Sequence, residues 1–243
     1  MRTVTTLLTA LLIAGCGDAG NQPPASTGTT EAGGAGTAAA SFEEEFRVAL
    51  ETARPGDVIE VPAGTHAFTR SVTLNTDGVT IRGAGMNDSV LSFAGQIAGA
   101  EGLLVNASDF TIEDLAIEYN VAGIEIENTV HADVFDNVAR NNTGGVLVFN
   151  MPDLPQLGHS TRVFDNDITG NNTANFGAPG SAVAGVPAGT GIIINSNDKV
   201  EIFNNRVGDN KTANVLISSA FSAAYSGERE AAADFDPYPE AIF

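Results

Sequence analysis

Short runs in which apolar and polar residues alternate recur through the second half of the chain, each led by glycine. Gly102-Leu-Leu-Val-Asn106, Gly123-Ile-Glu-Ile-Glu127, Gly145-Val-Leu-Val-Phe149 and Gly191-Ile-Ile-Ile-Asn195 align as one repeated strand. A second strand follows each: Phe110-Thr-Ile-Glu113, Ala132-Asp-Val-Phe135, Thr161-Arg-Val-Phe164 and Val200-Glu-Ile-Phe203. Asn-centred turns come next, at Asp136-Asn137, Asp165-Asn166 and Asn204-Asn205, and five residues beyond each lies Asn142, Asn171 or Asn210. From Gly102 to Gly123 to Gly145 the repeat is 21 to 22 residues, the length of one three-strand turn of a parallel β-helix. A unit of that size cannot bury its own inward side chains, but units stacked about 4.8 Å apart form a continuous core. Asparagine tolerates left-handed backbone angles, and stacked copies can pair as a ladder. The gaps are too short for the helices of an α/β fold, and hairpin signals are missing. The pattern predicts an all-β fold: a right-handed, single-stranded parallel β-helix.

The repeat is preceded by a different periodicity. Ser41 with Glu44 makes a capping box, and Phe42, Phe46, Ala49, Leu50 and Ala53 fall on one helical face before Pro55-Gly56 ends it. This predicts a capping helix over 41–54, opening a domain over 41–243. The helix and the strand after it, Asp57-Val-Ile-Glu-Val-Pro-Ala-Gly-Thr65, resemble the N-terminal cap of pectate-lyase-like β-helices. Together with GVTIRGAG, EGLLV, GIEIEN, NNTGGVLVF and GHSTRVF, they make the chain similar to bacterial β-helix repeat lipoproteins of the pectin-lyase-like superfamily, a group of unknown activity. Relatives of this type usually carry more turns, and the junction Ile117-Glu-Tyr-Asn-Val121 is a place where whole turns could be lost without loss of register.

Before the domain, Arg2 and the apolar stretch Val4–Ala14 end in Ile13-Ala14-Gly15-Cys16. The stretch is too short to span a bilayer. It resembles a lipoprotein signal peptide over residues 1–15, with Cys16 as the lipidated residue, and a multiply acylated cysteine gives durable anchoring. Gly17 after the cysteine favours the outer membrane over the inner by resemblance to enterobacterial sorting. Residues 16–40, almost free of large apolar side chains, read as a disordered tether.

Composition narrows the partners. A formal net charge of −19, from 30 acidic and 11 basic residues, repels phosphate backbones and argues against nucleic acid. The single cysteine excludes an intramolecular disulfide and a Cys-based zinc cluster. His66, His131 and His159 are scattered without a partner at metal spacing. Asp165-Asn-Asp167 has calcium-binding residue types, although turn and ladder roles also explain it.

Aligning the turns sorts outward residues into columns. The glycine-led strand carries Leu104, Glu125, Leu147 and Ile193, beside Asn106, Glu127, Phe149 and Asn195; the following strand carries His131, Ser160 and Lys199, beside Thr111, Asp133, Arg162 and Glu201. By resemblance, polysaccharide lyases and hydrolases of this fold work beside the glycine-led strand, where only Glu125 and Glu127 are charged. These are the catalytic candidates there; otherwise they are exposed acids on a solvated strand. Two insertions, 150–159 and 173–190, leave opposite ends of that strand. They either wall a binding groove over Leu147, Phe149 and Ile193, with His159 at its edge, or simply cover the apolar column. Asp133, Arg162 and Glu201 form the best charged constellation, a candidate site or a salt-bridge ladder. The expectation is a cell-envelope lipoprotein, membrane-bound through its anchor, that presents a β-helix surface to a glycan or an envelope protein. The alternative is a polysaccharide lyase or epimerase acting on an acidic polysaccharide, with no cofactor unless calcium takes part.

Overall fold

The computed structural model describes residues 40–222 and 230–243. The expected signal peptide, Cys16 and nearly all of the expected tether lie outside the described residues. Helix α1 (Phe42–Thr52) is N-capped by Ser41, whose hydroxyl accepts a hydrogen bond from the Glu44 amide at 3.3 Å. Its apolar face plugs the start of the coil. Phe46 and Leu50 are buried, and the Phe46 ring meets the buried Phe68 ring edge-on at 5.8 Å. No helix among the described residues is long and apolar enough to cross a membrane.

Six coils of three strands follow. They are β1 (Val58–Val61), β2 (Gly64–Ala67) and β3 (Arg70–Leu74); β4 (Thr80–Gly83), β5 (Ser89–Ser92) and β6 (Ala98–Val105); β7 (Phe110–Glu113), β8 (Ala116–Glu118) and β9 (Ala122–Glu127). The last three coils are β10 (Val130–Phe135), β11 (Val138–Arg140) and β12 (Gly144–Phe149); β13 (His159–Phe164), β14 (Asp167–Thr169) and β15 (Thr190–Asn195); β16 (Glu201–Phe203), β17 (Arg206–Gly208) and β18 (Ala213–Ser218). Corresponding strands stack into three parallel six-stranded sheets, which we call A (β1, β4, β7, β10, β13, β16), B (β2 to β17) and C (β3 to β18). Sheet C holds the glycine-led strands. Ile124, Val146 and Ile192 are consecutive partners in it, all pointing into one buried core with Val134, Val163 and Ile168. Val90, Ala116 and Val138 stack in register across the 117–121 junction.

The asparagines secure this register. Asn142 Nδ2 donates to Asn171 Oδ1 at 3.0 Å and Asn171 Nδ2 to Asn210 Oδ1 at 3.3 Å, while each backbone N–H donates to the same oxygens. A parallel ladder joins Asn137, Asn166 and Asn205. Successive rungs of that ladder are separated by 29 and then 39 residues, so the two insertions bulge outward without disturbing the stack. One detail departs from expectation. In the ladder through Asn137 the left-handed residue is the one before the ladder asparagine: Asp136, Asp165 and Asn204 have φ of 53°, 54° and 56°. The ladder asparagine itself turns inward, where its amide replaces the water a buried corner cannot have. Burial, together with the neighbouring Asp114 and Asp165 charges, pushes the Asp136 carboxyl up from its ordinary value.

The leading glycines have a steric cause. A Cβ on Gly145 would lie 2.6 Å from Ile168 Cγ2, 2.7 Å from the Gly191 carbonyl oxygen and 3.0 Å from Asn171 Nδ2. Sheet C and the ladder approach too closely for any side chain. At the far end, Val215 and Ile217, which continue the inward columns, are 42% and 51% exposed. The segment ending at Phe243 pairs beside β16 through Ile202 N–H to Phe243 O at 2.7 Å and Phe243 N–H to Val200 O at 2.9 Å.

Asn171→Ala removes an acceptor for two buried donors of Asn142 and a donor to the Ala139 carbonyl. At about 1–3 kcal/mol for each group left unsatisfied, urea denaturation should show a loss of about 3 kcal/mol or more. Asn210→Ala, at the part-exposed end of the same ladder, should cost clearly less; equal losses would mean that the ladder does not hold the coils. Gly145→Ala should lose about 1–3 kcal/mol by overpacking, read in the same assay.

Candidate functional site

The face marked by the sequence is closed. Leu147, Phe149 and Ile193 do point outward from sheet C, but all three are fully buried. A short 3-10 helix, Ala182–Gly185, lies in the 173–190 insertion. Its Val183, together with Val186, packs on them with Met151 and Leu154 from the 150–159 insertion and Leu216 of β18. Asn175 pins the larger loop shut by donating to the carbonyls of Val183 and Val186, both at 2.8 Å. Of the two readings of the insertions the cover is the one found: they close over Leu147, Phe149 and Ile193 to form a second hydrophobic core. Glu125 is not a solvated acid either: it shares the Leu147 column and is 1% exposed. Glu127, one step on in register with Phe149, is half-buried. The two glutamates are not presented together to solvent.

The open depression lies on the neighbouring sheet. A groove of about 630 Å³ runs across the outer face of sheet A, lined by both expected columns of that strand and by Asp109 and Phe243. The register is as aligned from the sequence, with Thr111, Asp133, Arg162 and Glu201 as successive partners. At the entry corner Asp109, His131, Ser160 and Lys199 all adopt left-handed backbone, with φ between 52° and 63°. That conformation costs an L-residue about 1–2 kcal/mol. Here it is the bend each coil makes into sheet A, and its residues overhang the groove.

Within the groove Arg162 closes on one neighbour. Its Nε and Nη2 donate to the two Asp133 carboxylate oxygens at 2.7 and 2.5 Å, a bidentate pair. This hydrogen bond and its charge raise the Arg162 pKa, to which Glu201 adds from the other side. Among the described residues no salt bridge joins Arg162 to Glu201, so the expected three-member ladder is a pair with an acid beside it. Arg82–Glu113, Arg140–Glu118 and Arg206–Asp167 pair in the same coil-to-coil manner elsewhere on sheets A and B. Cross-coil pairing is thus a general habit of this surface.

Two of the three histidines meet at the groove's corner, while His66 lies against Phe42 of the capping helix. The His131 and His159 rings stand edge-on with centroids 5.9 Å apart. His131 Nδ1 is 3.3 Å from Asp109 Oδ1, and His159 Nδ1 is 2.8 Å from Ser160 Oγ. Burial and then the Lys199 charge push the His159 pKa down. His159 thus sits behind His131, which lines this groove, rather than at the edge of one over sheet C. Among the described residues, no group of three or more His, Cys, Asp or Glu side chains could hold a metal ion. In the Asp165-Asn-Asp167 cluster Asp167 accepts from Arg206 at 2.9 and 3.0 Å and the Asn166 amide is bound within its ladder.

An aromatic stack escaped the sequence reading. Phe135, Phe164 and Phe203 alternate with inward Val134, Val163 and Ile202, so they point outward beside the charged column. Their rings stack at 4.8 and 4.9 Å, with the Arg162 guanidinium 5.6 Å above Phe164. Phe203 is 39% exposed. The strand parity that placed Arg162 outward also placed Phe164 there, so the signal was present.

No protein-family profile matches the chain, and no curated protein matches it in sequence. Solved structures do match in shape. An alginate lyase from Paenibacillus superposes with a TM-score of 0.54 at 19% identity, over 74% of this chain and 64% of that one. A pectin methylesterase crystallised with a hexasaccharide gives 0.42 at 14% identity, over 75% and 63% of the two chains. A pectate lyase gives 0.39 at 19% identity, over 67% and 49%. This chain thus spans less than two thirds of each of these proteins.

Because the folded state holds His159 below its ordinary value of 6.5, the stability it contributes is present above that value and lost as pH falls through the lowered one. Urea midpoints should drop on acidification below about pH 6.5, and His159→Asn should flatten that drop; an unchanged profile would refute the assignment. In fold, the chain is a right-handed parallel β-helix, the architecture it shares with the Paenibacillus alginate lyase.

Proposed function

We propose that this protein is a cell-envelope lipoprotein, anchored through Cys16 in the outer membrane, that binds a glycan chain along the outer face of sheet A. The observation that carries the reading is the open groove itself. It is rigid, being formed from the strands of stacked coils. It also combines carboxylates, hydroxyls and cations with an adjoining aromatic stack, the mixture that sugars require of a surface. The fold shared with an alginate lyase supports a carbohydrate ligand by analogy of architecture. Binding is preferred to catalysis because Glu125 and Glu127, the carboxylates nearest a catalytic pair, lie on the covered face and on its margin.

A second reading keeps the enzyme. His131 and Lys199 overhang the groove and are groups able to move a proton, so a lyase or epimerase acting on an acidic polysaccharide remains the alternative, with calcium as its one plausible cofactor. The two readings part in a single assay. Incubation with alginate or pectate, with and without calcium, should leave the ultraviolet absorbance of unsaturated uronates flat, while calorimetry against a panel of neutral and acidic oligosaccharides should detect binding of at least one. Rising absorbance that Lys199→Met or His131→Gln abolishes would install the enzyme instead. A protein partner would displace both readings if envelope extracts yielded one whose binding Arg162→Ala abolished and no glycan bound.

The anchor has its own test. In a bacterial host the wild-type chain should partition with outer membranes and incorporate labelled fatty acid, and Cys16→Ser should do neither. An unlabelled wild-type protein in the soluble fraction would refute lipidation.

A further inference from the structure

We infer that the sheet A groove selects a neutral, hydroxyl-rich glycan and discriminates against polyuronates, an inference that rests on the glycan-binding reading above. The first argument is charge. Asp109, Asp133 and Glu201 face Arg162 and Lys199 across the groove, an acidic excess within a chain of net charge −19. A polyanion approaching this surface meets repulsion from the whole molecule and no net attraction at the site.

The second argument is geometry. A guanidinium is the side chain best shaped to grip a sugar carboxylate, through two parallel N–H donors. Of the two edges of the Arg162 guanidinium that present parallel donors, Nε with Nη2 is already taken by Asp133, and the Glu201 charge acts on the group as well. A uronate that captured this fork would have to displace the Asp133 carboxylate and leave it facing another anion. Lys199 remains as a point charge at the corner, exposed and strongly hydrated.

What the groove does offer is hydrogen-bond acceptance. An ionised carboxylate only accepts, and sugar hydroxyls donate. Asp133 keeps lone pairs beyond its Arg162 bonds, and Glu201 makes no salt bridge among the described residues. Thr111 and Ser160 add hydroxyls that can donate or accept. Beside them, the edges of Phe135 and Phe164 and the part-exposed ring of Phe203 give the apolar face of a pyranose a surface to lie on. The column crosses the strands, so a bound chain would run along the coil axis. The coil rise of about 4.8 Å is close to the length of one pyranose unit, which presents about one sugar to each coil.

The test is a binding comparison on the folded chain. Tetrasaccharides of glucose, mannose and xylose would be titrated against tetramers of mannuronate, guluronate and galacturonate, at low salt, with and without calcium. At least one neutral series should bind about tenfold more tightly than every uronate, a difference of about 1.4 kcal/mol. Asp133→Asn should weaken the neutral ligand and, by freeing Arg162, improve uronate binding, a reversal that mere structural damage would not produce. Glu201→Gln, at an exposed position, should weaken neutral binding without that reversal, with circular dichroism confirming the fold of both variants. Tighter uronate binding to the wild-type chain would overturn the inference and leave glycan binding standing. Failure of both ligand classes to bind would overturn the glycan reading itself.

Discussion

The structure depends on one constraint: each coil must lie directly over the last, because no coil can bury its inward residues or satisfy its strand edges alone. Parallel backbone pairing supplies the stacking, but it tolerates slippage wherever corners are loose. The two asparagine ladders remove that freedom. In their central rungs each amide donates to a carbonyl of the preceding coil and to the next asparagine, while its oxygen accepts from that coil's asparagine. A one-residue slip would leave a row of buried amides without partners, at about 1–3 kcal/mol for each group. The left-handed residues before the Asn137 ladder and the glycine-led starts of sheet C are the local conditions under which that geometry closes.

That constraint explains which parts of the fold could be read from the sequence. Columns such as Ile124, Val146 and Ile192 were legible because strand parity is strict and the leading glycines mark the closest approach of coil to coil. The ladders were legible because Asn recurs at fixed distance from each strand. Sheet B was implied only by repeat length, since its three-residue strands Ala116–Glu118, Val138–Arg140 and Asp167–Thr169 are too short to show alternation. The left-handed position of each Asn-centred turn falls on its first residue, Asp136, Asp165 or Asn204, while the amide of the asparagine that follows serves the ladder.

The site was less legible, for a different physical reason. Parity tells which side chains point outward and says nothing about what lies over them. Leu147 and Ile193 point outward from sheet C into Val183 and Val186 of a loop whose sequence, rich in Gly, Ala and Pro, has no period at all. The composition did hold a clue, since outward Leu, Phe and Ile in consecutive coils would otherwise expose a large apolar patch. On sheet A the outward column Asp133, Arg162 and Glu201 is charged and, among the described residues, lines an open groove beside the Phe135, Phe164 and Phe203 stack. The open face of the coil follows from which column remained polar.

Openness and charge together determine what sheet A can do. An Arg between two acids on a solvated sheet is commonly a minor contribution to stability, and the same coil-to-coil pairing at Arg82, Arg140 and Arg206 fits that role. The Arg162 pair differs in its surroundings: a groove of about 630 Å³, a left-handed corner that projects His131 and Lys199 over it, and a phenylalanine stack beneath the guanidinium. The pair fixes Asp133 in place, so its remaining lone pairs meet a ligand with little further loss of side-chain entropy. On the proposed glycan-binding reading, structural and recognition roles become one arrangement: the salt bridge that ties two coils also orients the acceptor that a sugar hydroxyl would find.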